Sequence, residues 1–371
     1  MYIIASLIMF ATAMTACAET IPFFIGTNSQ PGKEPGILLA SLNAESGELS
    51  GGTSVADAQS PSYLAVSDNG QFLFAAVEQA SGAVRAYRIG VANQLEFLNE
   101  QPSGGKGACH VWFGAGHVFV SNYSSGTIAC FPVGSNGRLG EATATVAFEG
   151  SGPNAARQKQ PHAHSMQTSA DGKFAYACDL GSDSVWSFRF DASNGQLTPT
   201  DPPAGKATPG GGPRHLAISP AKPFLYANDE MGLAVSVFSR DPNSGTLRLV
   251  QSVPTLPSDA NREGVSTAAI ALHASGRWLY VSNRGHDSIT VFEAQSDGLL
   301  RFVENVPATV AFPRGFSLDP SGRWLVVAGQ KDGGLASLKI DPDTGRLSLG
   351  HRMTLNAVPV CVTFALEGFG H

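Results

Sequence analysis

ALHASGRWLYVSNR, residues 271–284, reads as the end of one apolar strand, a tight turn at 274–277, and a second strand with a polar exit. It is one copy of a recurring phrase. Others are AVSDNGQFLFAAVE (65–78), QTSADGKFAYACDL (167–180), AISPAKPFLYANDE (217–230) and SLDPSGRWLVVAGQ (317–330), with a shortened copy, GAGHVFVSNY, at 114–123. Closing turns recur as well: AESGELS (44–50), GSNGRLG (134–140), ASNGQLT (192–198), PNSGTLR (242–248) and PDTGRLS (342–348). A period of roughly 50 residues with strand, turn, strand, loop, strand and turn is that of a four-stranded propeller blade. Glycine in the turns supplies the positive φ that hairpins need. The strands are rich in β-branched and aromatic residues, as half-buried strands are. Six copies start this way. The seventh is split: FFIGT (23–27) and GILLASLN (36–43) lack an inner strand, and VPVCVTFA (358–365) lacks the rest of a blade. Joining them closes the ring and removes free sheet edges. The expected fold is therefore all-β: a seven-bladed β-propeller of four-stranded antiparallel blades, with N- and C-terminal strands sharing one blade. It forms one domain over 21–371, and TDPPAGKATPGGGP (200–213) is expected to be an interblade loop.

Composition narrows the function classes. Charged residues are 15% of the 371, against about 25% in ordinary soluble domains. Net charge is −6 and no basic run occurs, which argues against a nucleic-acid partner. At the N-terminus, the apolar run from Ile3 to Met14 is shorter than the about 20 residues a bilayer span needs. It fits the core of a secretory signal over 1–18, with Ala16-Cys17-Ala18 as a small-x-small cleavage site, although no Lys or Arg precedes it. The expected location is periplasmic or extracellular. Met14–Cys17 also resembles an imperfect lipobox, which would place a lipid anchor on Cys17. Cys109, Cys178 and Cys361 fall in apolar strand patterns and read as buried free thiols. A Cys109–Cys130 bridge is open in an oxidising compartment. No CxxC pair or CxxCH is present, so zinc and haem are not indicated. Trp112, Trp186, Trp278 and Trp324 read as core. A monomer is expected.

In a propeller, the starts of inner strands and the exits of second strands converge on one mouth of the central channel. In this sequence those positions are unusually polar. Before inner strands stand His162 and His164 (QPHAHS, 160–165), Arg214 and His215, and Arg314. After second strands stand Asn122 and Tyr123, Asp179, Glu230, Asn283 and Arg284, and Gln330. The opposite face receives only generic DG and SG turns. Loops on a rigid scaffold carry function, and these positions are expected to be solvent-facing loops. His162 and His164 lie two apart, so in extended chain both point the same way. The plainer alternatives are loop capping for the histidines and interblade ion pairs for the charged residues. A metal on His162, His164, His215 and Glu230 is disfavoured, because nearby arginines repel a dication; neither metal nor cofactor is expected.

QPHAHS, DLGSDSV, GPRHLAISP, LYANDEM, GRWLYVSNRGHDSITVF and PRGFSLDPSGRWLVVAGQK together carry a resemblance. The chain resembles the lactonase propellers typified by bacterial 6-phosphogluconolactonase, whose relatives include 3-carboxy-cis,cis-muconate lactonizing enzymes. The resemblance covers essentially all of the chain after the signal. It implies a small-molecule lactone substrate and a catalytic set at His164, Arg214, Glu230 and Arg284. His215, Arg314 and Gln330 sit in matching motifs. His162, Asn122, Tyr123 and Asn283 join them as substrate-binding positions on the mouth. Two departures concern substrate choice: Asp229-Glu230-Met231 replaces the usual Asn-Glu-Leu, and Ala269 stands where relatives often have an acid. The export signal is a third, because 6-phosphogluconolactone is made in the cytoplasm.

Lactone hydrolysis is acyl transfer to water, and it needs a base and positive charge at the oxyanion. No GxSxG elbow is present and no cysteine stands at a second-strand exit, so water is the expected nucleophile. His164 is the expected base. Arg214 and Arg284 are expected to hold the carbonyl oxygen and any anionic group. Glu230 would orient an arginine or assist proton transfer. The same residues would serve a cycloisomerase closing a carboxylate onto an alkene. A non-catalytic exported binding propeller is the third reading, although a docking face would more often show aromatic anchors.

Overall fold

In the computed structural model, residues 19–365 are described; the expected signal at 1–18 and the lipid-anchor reading of Cys17 lie outside them. Seven four-stranded antiparallel sheets make up the described residues. Blade 1 joins the two ends: Pro359–Phe364 is its inner strand, followed outward by Thr20–Thr27, Ile37–Asn43 and Leu49–Ala56. Blades 2 to 7 follow in chain order, with inner strands Pro61–Val66, Ala108–Gly114, Ala163–Thr168, Pro213–Ile218, Ser266–Leu272 and Pro313–Leu318. The register Phe23↔Phe364 through Gly26↔Cys361 stitches the C-terminal strand to the N-terminal one. The split seventh copy closes the ring as the sequence leads one to expect.

Each core lies between neighbouring blades. Phe174, Tyr176 and Cys178 of blade 4 pack with Leu216, Leu225 and Phe238 of blade 5. The two repeated phrases are halves of one interblade latch. The closing-turn glycine of one blade lies flat on the aromatic ring that begins the second strand of the blade before it. A Cβ on Gly345 (φ +69°) would stand 2.4 Å from the Trp278 ring, and one on Gly47 would stand 2.2 Å from Trp324. The second contact spans the chain ends, and Trp324 Nε1 also donates to the Ala44 carbonyl at 3.0 Å. Trp278 and Trp324 are core; Trp112 and Trp186, in strands too, are only half buried. One expectation fails. The stretch 200–213 is not wholly a loop, because the outer strand of blade 4 runs Gln196–Lys206. A register shift between Trp186 and Phe188 lets that strand extend along its neighbour despite three prolines.

Candidate active site

The feature that builds the site is a bulge repeated in the inner strands. In blades 2, 3, 4, 5 and 7 the pairing register slips across the strand's second residue, between Pro61 and Tyr63, Ala108 and His110, Ala163 and Ser165, Pro213 and His215, and Pro313 and Gly315. A bulge leaves one residue unpaired and re-aims its side chain. The re-aimed residues are Ser62, Cys109, His164, Arg214 and Arg314. A second ring comes from the residues leaving the second strands, among them Glu78, Tyr123, Glu230 and Arg284. These rings meet in a pocket of about 370 Å³ lined by Glu78, Cys109, Tyr123, Arg157, His164, Glu230, Ser266, Arg284, Phe312 and Arg314. Another cavity, of about 390 Å³, lies at the seam of the chain ends against Ile21, Pro22, Pro320 and Ala365. It gathers no comparable set of ionisable groups.

Glu230 is the hub. Its Oε1 accepts from Arg157 Nη2 at 2.8 Å. Its Oε2 accepts from Arg214 Nε at 3.0 Å and lies 3.1 Å from Arg284 Nη2. His164 Nε2 stands 3.9 Å from the same Oε2, too far for a direct hydrogen bond. Burial alone would raise the carboxyl's pKa, but Arg284 and Arg214 overcome it and hold Glu230 ionised, far below the usual range. Arg214 is 2% exposed and does not line the pocket. Its Nη1 donates to the Ala268 carbonyl at 2.6 Å and to His215 Nε2 at 3.0 Å. It is thus fixed behind Glu230. Burial lowers the Arg214 pKa to about 9, with Arg284 and Arg314 adding to the effect; paired with Glu230, the guanidinium stays protonated at neutral pH.

His164 occupies the blade 4 wall at 5% exposure. Its Nδ1 faces Cys109 Sγ at 3.8 Å, and its ring lies edge-on to Tyr123 and His215 at 5.4 and 5.3 Å. Burial, then Arg214, pushes its pKa well below 6.5, so the imidazole is neutral at neutral pH. Beneath it, His215, His110 and Tyr63 fill the channel with ring separations of 4.2 to 5.4 Å. His110 is held down to about 3 by burial and Arg214, and His215 well below 6.5 by the same causes. These three depressed histidines make stability fall in acid. In the unfolded chain each regains an ordinary pKa near 6.5, so below that pH the unfolded state takes up protons first. Each histidine is expected to cost up to about 1.4 kcal/mol per pH unit below 6.5 and nothing above it. Urea midpoints at pH 7.5 and 5.5 check this: His110→Phe is expected to flatten part of the dependence, and a midpoint that does not move with pH would count against it.

The structure separates the expected site residues into groups. It brings His164, Glu230, Arg284, Arg314 and Tyr123 to the pocket wall. It puts Arg214 and His215 one layer below. His162 is half-buried at the rim: its ring stacks on Tyr123 at 4.4 Å, its Nδ1 donates to the Tyr123 carbonyl, and its backbone N–H donates to Asp179. Both QPHAHS histidines therefore meet one tyrosine ring, but only His164 lines the pocket. Asn122 and Asn283 do not reach it. Both are fully buried and brace their loops, Asn122 through Ser103 and Thr127 and Asn283 through Ser288 and Thr290. Gln330 does not line the pocket either. The solvent-facing loop positions expected for His164 and Arg284 are instead buried strand positions, in Ala163–Thr168 and Trp278–Arg284. All four described cysteines are free and buried, so no Cys109–Cys130 bridge forms. Among the described residues, no three His, Cys, Asp or Glu are grouped to hold a metal ion.

Five pocket residues had no expected role: Glu78, Cys109, Arg157, Ser266 and Phe312. Glu78 closes the repeat copy at 65–78 in the place where Glu230 closes its own, and this parallel could have found it. Arg157 comes from the interblade loop 148–162, outside the repeated phrases. Asn154 turns that loop by accepting from Ala156 N at 3.1 Å, and Gln158 pins it to Asp183 at 2.7 Å. Phe312 adopts a left-handed φ of 60°, rare for an aromatic residue, and is held there by its N–H to Asp287. The Arg284 guanidinium carbon lies 5.4 Å from its ring centroid.

Comparison with known proteins places the chain in a family. A family model described as lactonase, 7-bladed beta-propeller, matches residues 22–364. The 6-phosphogluconolactonase of Bacillus subtilis is 35% identical over 349 residues, covering 92% of this chain and 97% of that protein. That of Formosa agariphila is 30% identical, covering 87% of this chain and 94% of that protein. The solved structure of a periplasmic gluconolactonase from Pseudomonas aeruginosa superposes with a TM-score of 0.87 at 28% identity, covering 94% of this chain and 99% of that one. On this sequence match and this shared architecture, the chain belongs to the seven-bladed β-propeller lactonase family.

Proposed function

We propose that this protein hydrolyses sugar lactones outside the cytoplasm, by attack of water assisted by His164. The observation that carries the reading is a neutral imidazole in the wall of a pocket into which Arg157, Arg284 and Arg314 also face. A neutral histidine can take a proton from water, and a guanidinium placed by the carbonyl stabilises the oxyanion. Arg284 is suited to that second task, since it is already fixed by Glu230 and by the Thr267 carbonyl at 3.1 Å. The arginines oppose charging of His164, so its protonation is favoured only as negative charge develops on the substrate oxygen. Proton transfer and oxyanion formation are coupled for that reason. Glu230, 3.9 Å from Nε2, steadies the imidazolium once formed. Arg214 acts through Glu230 and not on the substrate.

Arg314 is the pocket cation without a hydrogen bond or ion pair among the described residues, which leaves it free for an anionic group of the substrate. Arg314→Ala is expected to raise KM about tenfold for a phosphorylated or carboxylated lactone and little for an uncharged one. Equal KM changes on both would remove that role. Export is supported by the signal-like stretch 1–18 and by likeness to a periplasmic gluconolactonase. The test of the whole reading is lactone opening by protein recovered from the periplasmic fraction, with intact mass placing its N-terminus near Ala18. The panel pairs sugar lactones with and without phosphate, each with and without EDTA. No turnover on any of them would sink the hydrolase reading, and loss in EDTA restored by zinc or calcium would require a metal.

A further inference from the structure

Glu78 is the second carboxylate of the pocket, and its situation is the reverse of that of Glu230. Both leave a second strand at the same point of the repeat, and the backbone N–H of each donates back across its blade, Glu78 to the Ser60 carbonyl at 2.9 Å and Glu230 to that of Gly212 at 2.8 Å. Glu230 is buried under three guanidiniums. The Glu78 side chain is half-buried on the pocket wall and has no hydrogen bond or ion pair among the described residues. Its neighbour on the wall is the Cys109 thiol, pushed up to about 12 by burial with Glu78 adding to the effect, and so a neutral group at neutral pH.

The chemistry of the remaining wall gives this carboxylate a task. Arginine side chains only donate hydrogen bonds, and an ionised carboxylate only accepts them. Arg157, Arg284 and Arg314 therefore satisfy the oxygens of a bound lactone but cannot receive its hydroxyl protons. Glu230 has its oxygens engaged already. We infer that Glu78 is a specificity-determining residue that accepts hydrogen bonds from the hydroxyl groups of a polyhydroxylated lactone. This rests on the lactonase reading of the same pocket. A carboxylate here does more than attract hydroxyls. A lactone without them displaces water from Glu78 and returns nothing, and a site built around a substrate hydroxyl rejects analogues lacking it strongly. Negative groups are turned away from this wall toward Arg314.

Glu78→Ala and Glu78→Gln are to be compared with wild type on gluconolactone and on δ-valerolactone, which has no ring hydroxyls. Because the Glu78 side chain makes no hydrogen bond or ion pair among the described residues, both variants are expected to fold. For Glu78→Ala, kcat/KM on gluconolactone is expected to fall about tenfold or more, carried mainly by KM, with δ-valerolactone unchanged; Glu78→Gln, which keeps one acceptor oxygen, falls less. Equal loss on both lactones overturns the inference, since Glu78 would then act on the ester common to both. No loss on either overturns it as well. Calorimetric titration with gluconate and with hydroxyl-free hexanoate gives a readout that needs no turnover. Glu78→Ala is expected to weaken gluconate about tenfold and to leave hexanoate unchanged. A wild type that opens no lactone yet shows this Glu78-dependent difference loses only the hydrolase reading. Absent or Glu78-independent gluconate binding overturns the inference.

Discussion

His164→Gln is expected to lower kcat about 10²–10⁴-fold, the usual consequence of removing a general base, with a small change in KM. Glutamine is preferred to alanine for a structural reason. His164 is 5% exposed and packed between the Tyr123 and His215 rings, so truncation to alanine would open a cavity and mix a folding defect into the kinetics. The pH profile gives an independent check. The base must be neutral to act, and its pKa lies well below 6.5 in the folded protein. The acid limb of kcat/KM is therefore expected below pH 6.5, with activity flat from pH 8 to 6.5. A His164→Gln protein that keeps full turnover on its best lactone would return the QPHAHS histidines to loop structure, and the binding-propeller reading would gain.

Glu230→Ala is expected to cost about 3–5 kcal/mol of stability, the range for breaking a buried ion pair from one side. The reason is what it leaves behind. Arg214, at 2% exposure, loses its counter-ion while keeping a neutral carbonyl and a neutral imidazole as partners, and Arg284 loses the one carboxylate it pairs with among the described residues. The two guanidiniums then face each other and Arg314 without compensation. Urea unfolding is expected to show a lower midpoint with unchanged slope. Glu230→Gln, which preserves shape and one acceptor oxygen, is expected to lose less. The contribution of Glu230 is lost only in strong acid, because Arg284 and Arg214 depress its pKa in the folded state. A midpoint for Glu230→Ala equal to wild type would mean that the arginines are solvated and that the hub does not hold the site together.

The seven blades and their closure were legible from the chain alone, and the latch explains why. The Gly345–Trp278 and Gly47–Trp324 contacts repeat one steric requirement from blade to blade, so the residues that meet it recur at a fixed spacing and stand out in the sequence. The candidate site was legible where it uses the same repeat: His164 and Arg314 share one point of it, at the start of inner strands, and Glu230 and Arg284 share another, at the exits of second strands. Their burial was not legible. A bulge inside an inner strand shares the sequence neighbourhood of a loop before it, and only the strand pairing shows that His164 and Arg214 lie within the sheet. Tertiary structure also decided which polar residues face the pocket. Asn122 and Asn283 precede Tyr123 and Arg284 by one residue, and strand alternation turns their side chains into loop-bracing hydrogen bonds instead. Arg157 was beyond reach, since it arrives from within the interblade loop 148–162 and not from a repeated phrase. Its bond to Glu230 joins residues 73 apart in the chain, a pairing that exists only once two blades have docked.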